Sequence, residues 1–292
     1  MLQFASEFGT IFKVICKKRG GVMDGFLVVN HYLHGKKYDD LHGHLLCCAK
    51  NMGIDLRLVT NQDAVFVDEN PDFVLFWDKD ILLAEALEKR GIPVFNSARA
   101  IELCDNKAKT FVALDGIVHQ PKTVFAPLSF FDADYTEFVQ RAVGVLGLPV
   151  VFKECYGSFG EQVFLCNSVE DVLSHVSSKP FLLQEYIECG GTDVRLEVVG
   201  GRVVTAMRRS NKNDFRSNIT NGGVAEAYTP TEHESRLAVD ACKALGLTFG
   251  GVDIMQGNTV CEVNSNAYII NIMQTTGVDV APLIFEEILG RI

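Results

Sequence analysis

Low-complexity sequence is missing from this chain. Its 292 residues hold 8 Pro and 25 Gly without a Pro- or Gly/Ser-rich stretch, and no segment repeats, so nothing marks a flexible linker or a solenoid. Long apolar runs are missing too. Stretches such as Phe73 to Trp77 end far short of the ~20 residues that cross a bilayer, which argues against a spanning helix. Met1 to Arg19 carries Glu7 ahead of a short apolar stretch and has neither the long apolar region nor the small-residue cleavage site of a secretory signal. Basic charge is scarce: 27 Lys and Arg stand against 37 Asp and Glu, a formal charge of −10, so no basic field exists to wrap a phosphate backbone. The 9 cysteines are odd in number and form neither a CxxC pair nor a Cys/His zinc pattern, which argues for reduced thiols. These absences predict a soluble, cytoplasmic protein with no nucleic-acid or membrane partner, and they leave a homo-oligomer open.

What is present is a core. Hydrophobic residues make up 48% and Phe alone numbers 20, enough for one large α/β unit or two to three smaller ones. Short β-branched or aromatic runs at Phe26–Asn30, Asp55–Thr60, Asp72–Trp77 and Pro93–Phe95 alternate with helix-like stretches near 40–52 and 80–90. That alternation predicts a parallel sheet covered by helices over about 24–96. Residues 1–23 give no clear pattern. Helices are then expected at 97–104 and 107–114, strands at 150–153, 162–165 and 181–184, and a helix at 168–177. Two hairpins follow, Arg195–Val199 with Val203–Met207 and Gly251–Met255 with Thr259–Asn264, separated by a helix at 231–245.

The second hairpin permits a geometric deduction. A two-residue Gly257-Asn258 loop would set Asp253 directly opposite Glu262, and Asn264, two residues on, would share their face. Facing carboxylates repel unless a cation lies between them, and oxygen donors on a strand pair suit Mg²⁺ or Mn²⁺. A solvated acidic face is the alternative.

Other motifs are weak singly. Lys153 ends a strand and opens a loop, Lys153-Glu-Cys-Tyr-Gly157-Ser158-Phe-Gly160, that could bring N–H groups, a hydroxyl and a cation onto phosphate; it is not a Walker A loop. Lys107 begins a helix. Arg195, Arg208, Arg209 and Arg216 crowd in or near the first hairpin, and a two-residue Gly200-Gly201 turn would place Arg208 opposite Asp193, with Arg195 on the same side. A bulge would replace Arg208 by Arg209. His31, His34, His42 and His44 cluster after the first strand, where polar loop histidines are the default over a second metal site. Cys155 reads as a spectator thiol and Cys47-Cys48 as core packing.

Taken in order, Cys104-Asp-Asn-Lys107, Pro149-Val-Val-Phe-Lys153, Gln184-Glu-Tyr-Ile187, Gly191-Thr-Asp193-Val-Arg195, Asp214-Phe-Arg-Ser-Asn218, Gly250-Gly-Val-Asp253 and Glu262-Val-Asn264 resemble the ATP-grasp ligases, most closely the branch of the ribosomal protein S6 glutamate ligase. The resemblance spans about Ala100 to Asp279. It implies an α/β (α+β) fold: a pre-ATP-grasp domain over 1–96, a small ATP-grasp subdomain with a phosphate lid over 97–182, and a large subdomain with the metal site over 183–292. It also implies roles. Lys107 and Lys153 would contact ATP phosphates, with Gly157, Ser158 and Gly160 in the lid. Gln184, Glu185, Tyr186 and Ile187 would form the adenine hinge, and Asp193 would hold ribose. Arg216, Ser217 and Asn218 would line the nucleotide site, and Asp253, Glu262 and Asn264 would hold Mg²⁺ or Mn²⁺, as two ions. Arg195 with Arg208 or Arg209 would stabilise the transferred phosphoryl group.

The implied activity is ATP-dependent joining of a carboxylate to an amine through an acyl phosphate, with an amino acid such as glutamate added to a peptide or small-molecule carboxylate. A D-alanine or amino-acid biosynthetic ligase and a catalytically silent nucleotide-binding module are the alternatives. The chain departs from close relatives at Asn266-Ala267-Tyr268, where they carry Ser-Pro-Gly, and at Gln162, where they carry a third lid glycine.

Overall fold

A computed structural model describes residues 21–157, 161–212, 214–217 and 222–292. Its strands are β1 (Met23–Val29), β2 (Ile54–Thr60), β3 (Phe73–Trp77), β4 (Val94–Phe95), β5 (Thr123–Phe125), β6 (Val150–Glu154), β7 (Val163–Cys166), β8 (Phe181–Glu185), β9 (Thr192–Val199), β10 (Arg202–Ser210), β11 (Val224–Ala227), β12 (Phe249–Met255) and β13 (Thr259–Asn264). Its helices are α1 (Lys36–Asn51), α2 (Asn61–Ala64), α3 (Ile81–Lys89), α4 (Ala98–Asp105), α5 (Lys107–Leu114), α6 (Thr136–Leu146), α7 (Val169–His175), α8 (Glu232–Ala244), α9 (Ile269–Thr276) and α10 (Ala281–Arg291). The described residues divide into two compact units, one of those up to 98 with 268–270 and 279–292, the other of those from 99 to 267 with 271–278.

The first unit carries the parallel sheet β2-β1-β3-β4. Its central strands are apolar on both faces, with Phe26 to Val29 and Phe73 to Phe76 nearly inaccessible, as helix-covered parallel strands must be. The last helix, α10, packs on α1 within this unit, whereas the sequence reading placed residues 279–292 with the large subdomain.

The second unit holds two antiparallel sheets, β5-β8-β6-β7 and β11-β10-β9-β12-β13. In the five-stranded sheet one face is apolar. Val194, Leu196, Val198, Val252, Ile254 and Val263 pack there with Leu237, Ala238, Ala241 and Cys242 of α8. That helix starts at a capping box in which Thr231 and Glu234 satisfy each other's end groups. Side chains alternate along a strand, so burying 194, 196 and 198 forces Asp193, Arg195 and Glu197 onto the opposite, polar face.

Both hairpins form where the sequence placed them, with different turns. Gly200-Gly201 is the expected two-residue turn, both residues at positive φ, but the pairing slips between Val203 and Thr205. The slip sets Arg209 opposite Asp193 and Arg208 opposite Val194, so the expected pairing of Arg208 with Asp193 is corrected. In the second hairpin Met255 pairs with Thr259, leaving a three-residue loop with Asn258 at φ 57°, and a bulge at Cys261 restores the register. Asp253 therefore does face Glu262, although the two-residue loop that predicted it is absent.

Candidate active site

In the second unit a cleft opens between the two sheets. One part of its wall is apolar, with Val151, Val163, Ile187, Tyr186, Phe215 and Met255; the other is charged, with Lys107, Lys153, Asp193, Arg209, Arg216, Asp253 and Glu262. Gln184, Glu185 and Ser217 also line it. Twelve residues expected in the site from the sequence are thus gathered in one wall. Gly157, Arg195, Arg208 and Asn264 are not part of this lining, and Ser158, Gly160 and Asn218 lie outside the described residues.

Lys107 is positioned by a helix start. The Asn106 side chain accepts from the N–H groups of Ala108 and Lys109 and so caps α5, while the Lys107 N–H donates to the Cys155 carbonyl at 2.9 Å. Its ammonium reaches the Gly157 carbonyl at 3.2 Å, joining helix and loop. Lys153 extends from β6 and has no hydrogen-bond or ion-pair partner among the described residues, which leaves a cation available in the cleft.

On β8, Gln184 donates from Nε2 to Thr123 Oγ1 at 2.9 Å, and Glu185 accepts the Lys122 N–H at 2.7 Å, so both side chains hold strand β5 in place. Tyr186 and Ile187 follow where the strand ends, and Phe215 meets the Tyr186 ring edge-on. Gly191 fixes the next corner. Its φ is 63°, and a Cβ there would collide with the carbonyl oxygens of Asn211 and Asp214, so only glycine lets β9 begin against the loop bearing Arg216 and Ser217. Asp214 in turn grips Arg216 at 2.7 Å, which holds the carboxyl below its usual pKa.

The polar sheet face carries a closed charge network. Arg195 Nε and Nη2 donate to Asp253 Oδ1 and Oδ2 at 2.6 and 2.7 Å. Arg209 donates to both Asp193 oxygens at 2.8 and 2.5 Å, and its Nη2 lies 3.0 Å from Asp253 Oδ2. Burial by itself would raise the Asp253 pKa, but the two guanidiniums outweigh it and hold the group below the ordinary carboxylate value. Arg208 lies off this face, over the Tyr228 ring and 3.3 Å from Glu226. The parity left open by the sequence therefore resolves to Arg209 as the arginine on the site face.

Whether the face fits a divalent cation depends on its oxygens. No cluster of three His, Cys, Asp or Glu among the described residues could hold a metal on its own. Asp253 and Glu262 face each other, Glu262 makes no ion pair among the described residues, and the Asn264 Nδ2 is buried without a partner. Glu262 offers carboxylate oxygens that no guanidinium holds, whereas Asp253 would reach a hard cation only by sharing oxygens that already accept from Arg195 and Arg209, with water and phosphate oxygens completing the shell.

Glu197 was missed in the sequence, although the inward alternation from Asp193 and Arg195 marks it. It is 2% exposed, and burial pushes its carboxyl up to about 7, with Asp253 adding to the rise and Arg195 opposing it. The histidines form no comparable centre. In the first unit His31 and His34 touch ring to ring, His44 Nε2 pairs with Asp279 Oδ1 at 2.9 Å, and burial lowers the pKa of His42. The eight cysteines among the described residues are free thiols, and no helix there is long and apolar enough to cross a membrane.

Comparison with known proteins gives the same assignment. A family model described as a RimK-like ATP-grasp domain matches residues 104–288. The chain is 40% identical over 211 residues to a protein of Pseudomonas entomophila named "Probable alpha-L-glutamate ligase", covering 69% of this chain and 68% of that one. It is 35% identical over 245 residues to Beta-citrylglutamate synthase B of Danio rerio, covering 80% of this chain and 60% of that one. Among solved structures, D-alanine–D-alanine ligase from Bacillus anthracis complexed with ATP superposes with a TM-score of 0.71 at 16% identity, over 93% of this chain and 97% of that one, a likeness of fold. The chain belongs to the RimK-like ATP-grasp family, whose members are ligases that form carbon–nitrogen bonds.

Proposed function

We propose that the protein uses ATP to join a carboxylate to the amino group of an amino acid, with glutamate as the amine and a peptide or small molecule as the acceptor. The acceptor carboxylate takes the γ-phosphoryl group, and the amine displaces phosphate from the acyl phosphate. The observation that carries this reading is one cleft in which an apolar end, suited to a purine, continues into two lysines and the carboxylates Asp253 and Glu262. Relatives named for glutamate ligation and citrylglutamate synthesis support glutamate as the amine.

In this reading the hinge Gln184, Glu185, Tyr186 and Ile187 borders adenine, and Lys107 and Lys153 meet the phosphates as point charges. Gly157 opens the segment assigned as a lid that keeps water from the activated carboxyl; its Ser158 and Gly160 lie outside the described residues. Arg216 and Ser217 flank the nucleotide, and Asn218, assigned with them, lies outside the described residues. Asp193 holds ribose only while shared with Arg209, since both its oxygens already accept from that guanidinium. Arg195 and Arg209, held rigid by Asp253 and Asp193, aim fixed positive charge at the phosphoryl group and the developing oxyanion, with no reorganisation needed as charge moves. Asp253, Glu262 and Asn264 would hold Mg²⁺ or Mn²⁺, as two ions, which when bound neutralise phosphate charge.

The test is ADP release with ATP and Mg²⁺ across L-amino acids paired with citrate and glutamate-terminated peptides, beside a D253A/E262A control. Turnover that needs both an amine and a carboxylate and disappears in the control supports the reading. Nucleotide binding without turnover for any pair contradicts it.

A further inference from the structure

Asp253 and Glu262, the carboxylates assigned to the divalent cation, face each other on β12 and β13, and both line the cleft, yet their surroundings differ. Glu262 makes no ion pair among the described residues. Asp253 is held by two guanidiniums. Its Oδ1 accepts from Arg195 Nε at 2.6 Å, and its Oδ2 accepts from Arg195 Nη2 at 2.7 Å and lies 3.0 Å from Arg209 Nη2. Asp193, Asp253, Arg195 and Arg209 together carry no net charge, and Lys107 and Lys153 add positive charge to the cleft wall. At this pair a dication therefore meets one carboxylate without a counter-ion, Glu262, and one whose charge is already taken.

The three bonds on Asp253 are not equally secured. Arg209 makes a two-bond fork with Asp193, at 2.8 and 2.5 Å, and leans on Asp253 through Nη2 alone. Without that contact it stays anchored by both oxygens of Asp193. Arg195 has its only ion pair among the described residues with Asp253, so losing it would strand a largely buried guanidinium, the costlier loss. The bond that yields most readily is the one from Arg209.

We propose that Arg209 sets the cation affinity of the site: it occupies Asp253 as a built-in counter-ion, and a divalent cation binds there by displacing it from Oδ2. This rests on the ligase reading and adds to it a competition between an arginine and a metal for one carboxylate. Once displaced, Arg209 keeps its fork on Asp193 and has an N–H to give to a phosphate oxygen in the cleft that it lines. The cation then enters most readily with the nucleotide, whose phosphates bring the negative charge that the neutral network does not offer.

The experiment is titration of Mn²⁺ into the full chain without nucleotide, read by electron paramagnetic resonance of the free ion. Wild type is expected to bind weakly, and R209M about tenfold more tightly or better, because one positive charge leaves the site. R209K keeps the charge and should stay within about threefold of wild type. R209M deprives Asp193 of its cation, so R209M/D193N is measured beside it. That variant removes the stranded carboxylate, and tightening there cannot come from a freed Asp193. Adding E262Q to R209M should abolish the gain. Binding no tighter than wild type in the folded single and double variants overturns the proposal, as does equal tightening by R209K or a gain that survives E262Q. The titration contains neither ATP nor acceptor, so it stands apart from the ligase reading. Absence of ADP release by wild type, with Mn²⁺ bound more tightly in R209M, counts against that reading alone.

Discussion

Arg195 and Asp253 stand opposite each other on neighbouring strands and lock in a two-bond fork of 2.6 and 2.7 Å, both almost fully buried. Asp253 is shared with Arg209 at 3.0 Å, so one carboxylate anchors two guanidiniums on the face of the candidate site. The same residue thus joins stability to chemistry.

That link gives the first prediction. D253A leaves two buried cations short of a partner, so it is expected to cost about 3 to 5 kcal/mol of stability as well as activity. Denaturant melts alongside ADP release check it. A variant as stable as wild type contradicts the network.

The bulge before Thr205 gives the second. Arg209 is 3% exposed on the site face, whereas Arg208 is on the opposite face beside Glu226. R209A is expected to lower kcat/KM by ~10² to 10³, the usual loss for one preorganised contact, and R208A by less than tenfold. Equal effects would contradict the register.

Glu197 gives the third, in pH. Its folded-state pKa, about 7, lies above its ordinary value, so between about pH 4.5 and 7 the folded protein binds more protons than the unfolded chain. This contribution is fully present below the lower value and is lost as pH rises to the upper one. Asp253 acts in the opposite sense at more acid pH, because its pKa is lowered and its contribution is lost as pH falls. Urea midpoints measured across this range should therefore fall less steeply toward pH 7 in E197Q than in wild type, and identical slopes would be inconsistent with a raised carboxyl.

The back of the same sheet gives the fourth. Leu196 is fully buried against α8, and L196A should cost about 2 to 5 kcal/mol. At a temperature where it stays folded, its KM for ATP should match wild type. A large KM change would mean that the two faces are not independent.

Much of this was readable beforehand, for identifiable reasons. Apolar alternation placed both hairpins, and the order of the motifs placed the twelve residues of the cleft wall together. The pairing of Asp253 with Glu262 was right because two departures cancel: a three-residue loop shifts the register and a bulge at Cys261 shifts it back. In the first hairpin a single bulge had nothing to cancel it, and the arginine on the site face changed. Bulges leave no composition signal, so parity beyond one is not written in a strand's residue types. Glu197 was hidden among apolar neighbours in Leu196-Glu-Val-Val199, where only the count from Asp193 reveals its inward face. Helix α6 and the short strand β5 were passed over, the helix because Tyr135 provides no side-chain cap to mark its start.

Activation of a carboxylate by phosphoryl transfer is tested most directly by oxygen tracing. An acceptor carboxylate labelled with ¹⁸O is incubated with ATP, Mg²⁺ and the amino acid, and the released phosphate is examined by mass spectrometry. Passage of one labelled oxygen into phosphate, with ADP as the other product, is the predicted result. Unlabelled phosphate, or release of AMP and pyrophosphate, would contradict it.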